Sequence, residues 1–267
     1  MRTALLNDVK IAYDDTGSGD PVLLVHGHPF NRSMWAPQIE AIARSKRRAV
    51  TFDLRGYGES EVVAGVTPLG LFADDIVALL DHLSIDSATV VGLSMGGQIV
   101  MDLFARFPDR VAAVVLADTF PDAETAVGIT DRMDSADNLI RNGMSRYSTE
   151  NISKMVGPTT MLERPAVVEH VTTMMLNTPP AGAAAALRGR ALRREYATTL
   201  QALSVPALIV VGRDDEFTPV ADAERMHDLI ADSRLVIIDD TGHLPNLERP
   251  DSFNAAFLDF LNETGVN

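Results

Sequence analysis

Short continuous runs of apolar and β-branched residues alternate along the chain with longer stretches whose apolar positions recur every three or four residues. Pro21–Val25, 48–53, Ala88–Leu93, Val111–Ala117, 206–212 and 234–239 are too short for helices, and three of the six end in Gly or Asp. Runs of that kind predict strands buried on both faces. Between them, 33–43, 68–83, 95–107, 219–230 and 249–261 carry helical spacing. Leu69, Phe72, Ile76, Leu79, Leu80 and Leu83 make one apolar stripe, and Phe253, Phe257, Phe260 and Leu261 make another. Strand and helix in alternation predict an α/β architecture: a mostly parallel sheet with helices on both faces.

The alternation breaks between Asp118 and about Tyr196. This stretch has no convincing strand and is punctuated by Pro158, Pro165, Pro179 and Pro180. It predicts several short helices inserted between two strands, dividing the chain into a core (1–118 and 197–267) and a helical cap (119–196). Six of the eleven methionines lie in the cap (Met133, Met144, Met155, Met161, Met174 and Met175), where a flexible thioether fills gaps between small helices or, alternatively, adapts to an irregular ligand.

Composition narrows the function. The 267 residues include 23 Lys+Arg against 37 Asp+Glu, a formal net charge of −14. That balance argues against nucleic acid and anionic membrane surfaces as partners, since phosphates would be repelled. The absence of cysteine removes disulfide scaffolds, thiolate nucleophiles and Cys-ligated zinc. The first eight residues lack the apolar stretch of a signal peptide, and no apolar run nears the ~20 residues of a membrane span. The expectation is a soluble, cytoplasmic protein; the pattern carries no signature of oligomeric state.

The strongest chemical signal is Gly92-Leu93-Ser94-Met95-Gly96-Gly97, where a strand ends and a helix begins. A sharp strand-to-helix turn strains the central residue and exposes its side chain, and the glycines let neighbouring backbone pass closely. Ser94 is therefore the candidate nucleophile, and the N–H of Met95, at a helix N-terminus, a candidate oxyanion donor. A serine needs a base oriented by a third group. His243, in Thr241-Gly242-His243-Leu244-Pro245 after the last strand, is the best base; His82, His170 and His227 fall in helical stretches, and His26 ends a buried strand as a hydrogen-bonded core residue. Asp215, in Gly212-Arg213-Asp214-Asp215-Glu216-Phe217-Thr218-Pro219, is the favoured orienting acid, with Asp118 and Asp214 as alternatives. After Val25-His26-Gly27, the N–H of His28 is the second oxyanion candidate. His26 and His28 as a metal pair lack a third ligand nearby. Asp53 and Arg55, bracketing a glycine turn, read as loop braces. Phe30, Trp35, Phe120 and Leu244 follow the catalytic-edge motifs and are candidate pocket residues, with core packing the alternative for each.

Together His26-Gly27-His28-Pro29, the loop 53–60, the Ser94 elbow, Asp215-x-x-Thr-Pro, and Gly242-His243 with Leu247-Glu248-Arg249-Pro250 resemble the α/β-hydrolase superfamily. Within it the chain is similar to the bacterial carboxylesterase, cofactor-free perhydrolase and 3-oxoadipate enol-lactonase cluster. The resemblance implies a serine hydrolase acting on small-molecule carboxylic esters or lactones through an acyl-enzyme on Ser94, with no metal or organic cofactor. Enol-lactonase and perhydrolase activity are alternatives, as is, in another class, a receptor that traps its ligand without turnover. A carboxylated lactone would need a cation beneath the cap. Arg188, Arg190, Arg193 and Arg194 are scattered by helical spacing, so most are expected in solvent and neutral esters are the expected substrates.

Overall fold

The computed structural model describes residues 1–264. Eight strands form one sheet: β1 (Arg2–Leu6), β2 (Val9–Gly17), β3 (Pro21–Val25), β4 (Arg48–Phe52), β5 (Ala88–Leu93), β6 (Val111–Ala117), β7 (Ala207–Gly212) and β8 (Ser233–Ile238). Their spatial order is β1-β2-β4-β3-β5-β6-β7-β8. Strands β3 to β8 are parallel, while β2 is antiparallel to both of its neighbours.

The first two strands are absent from the expected set. They form a hairpin whose turn, Asn7-Asp8, holds both residues at positive φ (46° and 63°). Asn and Asp tolerate that region, but without a glycine the turn signal is weak. The exposed outer strand is also half polar, unlike the buried runs that follow it.

Helices α2 (Leu69–His82), α3 (Met95–Arg106) and α10 (Val220–Leu229) bury their apolar stripes on one face of the sheet. Helices α1 (Ala36–Arg44) and α12 (Pro250–Glu263) cover the other, where Phe253, Phe257 and Phe260 meet Val22, Leu24, Val91 and Val115. With both faces covered, the central strands are apolar at nearly every position, which is why they read as continuous runs.

Six helices lie between β6 and β7, the first five being α4 (Ala126–Asn142), α5 (Met144–Met155), α6 (Pro158–Glu163), α7 (Pro165–Asn177) and α8 (Pro180–Ala191). A short α9 (Ala197–Gln201) leads back to the sheet. Helix α8 is enclosed on more than one side. Gly182 lies against the backbone of Gly56 so closely that a Cβ would come within 1.9 Å of its carbonyl oxygen. The alanines of α8 pack against Ala136 and Leu139 of α4. No helix among the described residues is long and apolar enough to cross a membrane.

Candidate active site

The carboxyl ends of β3, β5, β6, β7 and β8 lie along one edge of the sheet, and the loops that follow them build the site. At the end of β5, Ser94 has φ 56° and ψ −118°, a left-handed conformation costing a non-glycine residue roughly 1–3 kcal/mol. The turn is held from both sides. The Ser94 N–H donates to the Ala117 carbonyl (2.9 Å), and the Thr119 hydroxyl donates to the Ser94 carbonyl (2.8 Å). A Cβ on Gly92 would lie 2.4 Å from the Gly96 carbonyl carbon, and one on Gly96 would lie 2.3 Å from the Val25 oxygen, so the elbow closes only with glycine at both. The Met95 N–H opens α3, one of the first-turn donors without an intrahelical acceptor.

His243 follows β8 and is buried, and its Nδ1 lies 2.7 Å from Asp215 Oδ2. The same carboxylate accepts the Phe217 N–H at 2.8 Å and the Thr218 hydroxyl. Burial alone would raise the Asp215 pKa; the His243 charge, the His243 and Thr218 hydrogen bonds and the Phe217 amide outweigh it and hold the carboxyl below the ordinary range. The Phe217 ring meets the His243 ring edge-on, centroids 5.1 Å apart.

Of the three candidate acids, Asp215 alone is hydrogen-bonded to His243. Asp214 is exposed. Asp118 is buried beside the pair, its Oδ1 accepting the Gly212 N–H at 2.9 Å while Oδ2 has no partner among the described residues. Burial, then the negative charge of Asp215, pushes the Asp118 pKa well above the ordinary carboxylate value. Asp118, Asp215 and His243 each offer a ligating atom within 4.8 Å of the others. The 2.7 Å His243–Asp215 contact, however, is the spacing of a shared proton, closer than two ligands on a tetrahedral cation with bonds of about 2.0–2.2 Å.

His26 and His28 turn to different partners and form no metal pair. His26 donates from Nδ1 to the Gly27 carbonyl and accepts the Leu54 N–H at Nε2, the buried core histidine expected. His28 Nδ1 meets the Tyr57 hydroxyl at 2.8 Å. Burial, reinforced by the Arg190 charge, lowers the His28 pKa well below the usual histidine value and keeps its ring neutral. In the loop 53–60, Asp53 accepts the Arg32 and Glu59 amides and pairs with the Arg32 side chain, while Arg55 forms a fork with Asp75. Both residues brace the fold, through partners far along the chain.

A cavity of about 160 Å³ opens beside Ser94 and His243. Its walls include Phe120, one of the four pocket candidates. Phe30, Trp35 and Leu244 belong instead to the apolar core beneath the sheet edge, fully buried with Val22, Leu24 and Phe253. Trp35 lies there near Phe253 of α12, ring centroids 6.5 Å apart. Met155 lines the cavity; Met133 and Met161 are exposed.

The sequence pattern did not assign Arg132, Tyr147, Leu187, Arg190, Phe217 or Thr218 to the wall, which they complete. The expected solvation of the arginines fails at two positions. Arg193 is buried against Glu124 (2.8 Å), and Arg190 is 8% exposed and lines the cavity. Arg188 and Arg190 lie on α8, but Arg193 and Arg194 follow its end, so one helix does not carry all four as expected; α8 itself is enclosed by α4 and by the core loop at Gly56, so not every direction around it is solvent.

A model of the α/β-hydrolase fold matches residues 20–250. A 3-oxoadipate enol-lactonase of Acinetobacter baylyi is 29% identical over 257 residues, covering 95% of this chain and 94% of the relative. A thermophilic esterase of Thermogutta terrifontis, solved with malate bound, superposes with TM-score 0.95 at 35% identity and covers 98% of both chains. An enol-lactonase of Burkholderia xenovorans superposes with TM-score 0.91 at 27% identity, covering 98% of this chain and all of the other. The chain belongs to the α/β-hydrolase fold family, among relatives named as esterases and lactonases.

Proposed function

We propose that the protein hydrolyses short carboxylic esters or lactones through an acyl-enzyme on Ser94. The observation that carries this reading is the 2.7 Å Asp215–His243 pair set in the wall of the same small cavity as a strained, glycine-flanked serine. Asp215 holds Nδ1 of the imidazole and so leaves Nε2 as the nitrogen that takes the Ser94 proton. The serine oxygen bonds to the carbonyl carbon, and the N–H groups of Met95 and His28 stabilise the oxyanion. His243 returns the proton to the departing alkoxide, and water, activated by the same imidazole, releases the acid. The segment 119–196 acts as a cap over the 1–118 and 197–267 core. It supplies Arg132, Tyr147, Met155, Leu187 and Arg190 to the cavity, which at about 160 Å³ is small beside the roughly 300–1,000 Å³ of drug-sized sites and suits short substrates. The esterase and lactonase names of the relatives fit both substrate forms.

A p-nitrophenyl alkylphosphonate tests the reading. Attack by Ser94 forms an O–P bond and expels p-nitrophenolate, so one equivalent of p-nitrophenol and a mass increase confined to the Ser94 peptide are expected. Labelling elsewhere, or none, overturns it.

A further inference from the structure

Arg190 is a buried cation without a counter-ion among the described residues. Its one hydrogen bond among the described residues runs from Nε to the neutral Gln98 Oε1 at 3.2 Å. The arginines around it are all paired: Arg188 with Asp137, Arg194 with Asp102, and Arg132 and Arg193 both with Glu124. Arg132 and Arg193 repel Arg190, and the carboxylate of Glu124 pairs with those two and not with Arg190. Leaving a cation buried without an anion is strongly unfavourable.

Two further buried side-chain nitrogens nearby lack partners. Gln98 Nε2 is buried with no partner among the described residues, and so is His28 Nε2. If the Tyr57 hydroxyl donates to His28 Nδ1, the neutral ring carries its proton on Nε2. Arg190, Arg132 and His28 line the cavity that holds Ser94 and His243. The two oxyanion amides belong to the scissile carbonyl, so these side chains serve a different group.

We propose that the substrate of Ser94 bears a carboxylate, which the Arg190 guanidinium binds with Arg132 as the second cation. The enzyme therefore takes carboxylate-bearing short esters or lactones, such as half-esters of short dicarboxylic acids. The planar fork of arginine matches a carboxylate in a cavity this small, and the local positive field offsets the −14 net charge that would slow an anion's approach. This inference rests on the serine-hydrolase reading of the site.

The test compares two esters of equal carbon-chain length, monomethyl glutarate and methyl valerate, with the wild type and Arg190→Gln. The wild type should favour the half-ester by at least tenfold in kcat/KM. Arg190→Gln should reduce that ratio by tenfold or more, mainly through KM. An arginine that merely ties α8 to Gln98 would change both esters alike, and an unchanged ratio overturns the proposal. Should Arg190→Gln fail to fold, competitive inhibition of the wild type by glutarate but not by glutaramide decides the same question; equal inhibition, or none, overturns it. Calorimetry with Ser94→Ala separates the two readings. Glutarate binding without hydrolysis of either ester by the wild type would sink the hydrolase and leave the anion site standing. Hydrolysis of methyl valerate without preference for the half-ester does the reverse.

Discussion

Glu248 accepts the backbone N–H of Gly157 at 2.7 Å, joining the end of α11 (Pro245–Glu248) to the turn between α5 and α6. Its other oxygen accepts the N–H groups of Gly242 (2.9 Å) and Leu244 (3.2 Å), the residues on either side of His243. One fully buried carboxylate thus fixes the histidine loop and ties it to the segment that covers the cavity. Three amide donors replace the water it lost.

Glu248→Gln should therefore loosen the base without touching the reacting atoms. An amide presents one acceptor oxygen where the carboxylate had two, leaving a buried N–H unsatisfied at a cost of about 1–3 kcal/mol. Denaturant unfolding should show that loss, and kcat should fall by roughly 10- to 100-fold from misplaced geometry. Full activity with unchanged stability would remove Glu248 from the positioning role.

Ser94→Ala should eliminate ester turnover, a loss on the order of 10⁶ in kcat, because the parts of a triad act as a unit. The elbow should survive, since its glycine contacts and the Ser94 backbone bonds to Ala117 and Thr119 do not involve the hydroxyl. Circular dichroism and thermal unfolding check the fold, and a folded variant retaining more than a few per cent activity contradicts the assignment.

Asp215→Asn should cost about 10⁴ in kcat, as an amide at that position favours the wrong histidine tautomer. It should also change the acid limb of the stability curve. The folded-state pKa of Asp215 is depressed, so its contribution is present above the unfolded value near ~3.9 and is lost as pH falls through the folded value. Relative to Asp215→Asn, the wild type should lose stability as the solution is acidified below about pH 4. Parallel unfolding curves for the two proteins over that range would contradict the linkage.

Asp118→Asn should behave in the opposite sense. The folded-state pKa is raised, so wild-type stability falls as pH rises from about 4 toward the folded value, where the buried carboxyl must ionise beside Asp215. Asparagine keeps an acceptor for the Gly212 N–H and carries no charge. The variant should melt higher than the wild type at neutral or alkaline pH, with the advantage vanishing near pH 4. Its kcat should fall far less than that of Asp215→Asn. A reversal of the two kcat values would place the orienting acid after β6.

The sequence by itself determined the parallel core, the elbow at Ser94 and the loops that carry Asp215 and His243. Those features depend on sterics over a few residues: continuous apolar runs on doubly covered strands, glycines where backbone segments touch, and turns at strand ends. It missed the hairpin of β1 and β2, whose glycine-free turn and half-exposed outer strand leave a weaker local mark. Only the tertiary structure decided which aspartate meets His243, because Asp118, Asp214 and Asp215 all follow strands at the same sheet edge. It also sent Phe30, Trp35 and Leu244 into the core and Phe120 to the cavity, although all four follow comparable motifs. Arg190 is the sharpest case. Helical periodicity gives its direction around α8, but whether that direction meets water or a buried cavity depends on α4, the loop at Gly56 and the sheet edge, elements distant in sequence whose packing no local pattern encodes.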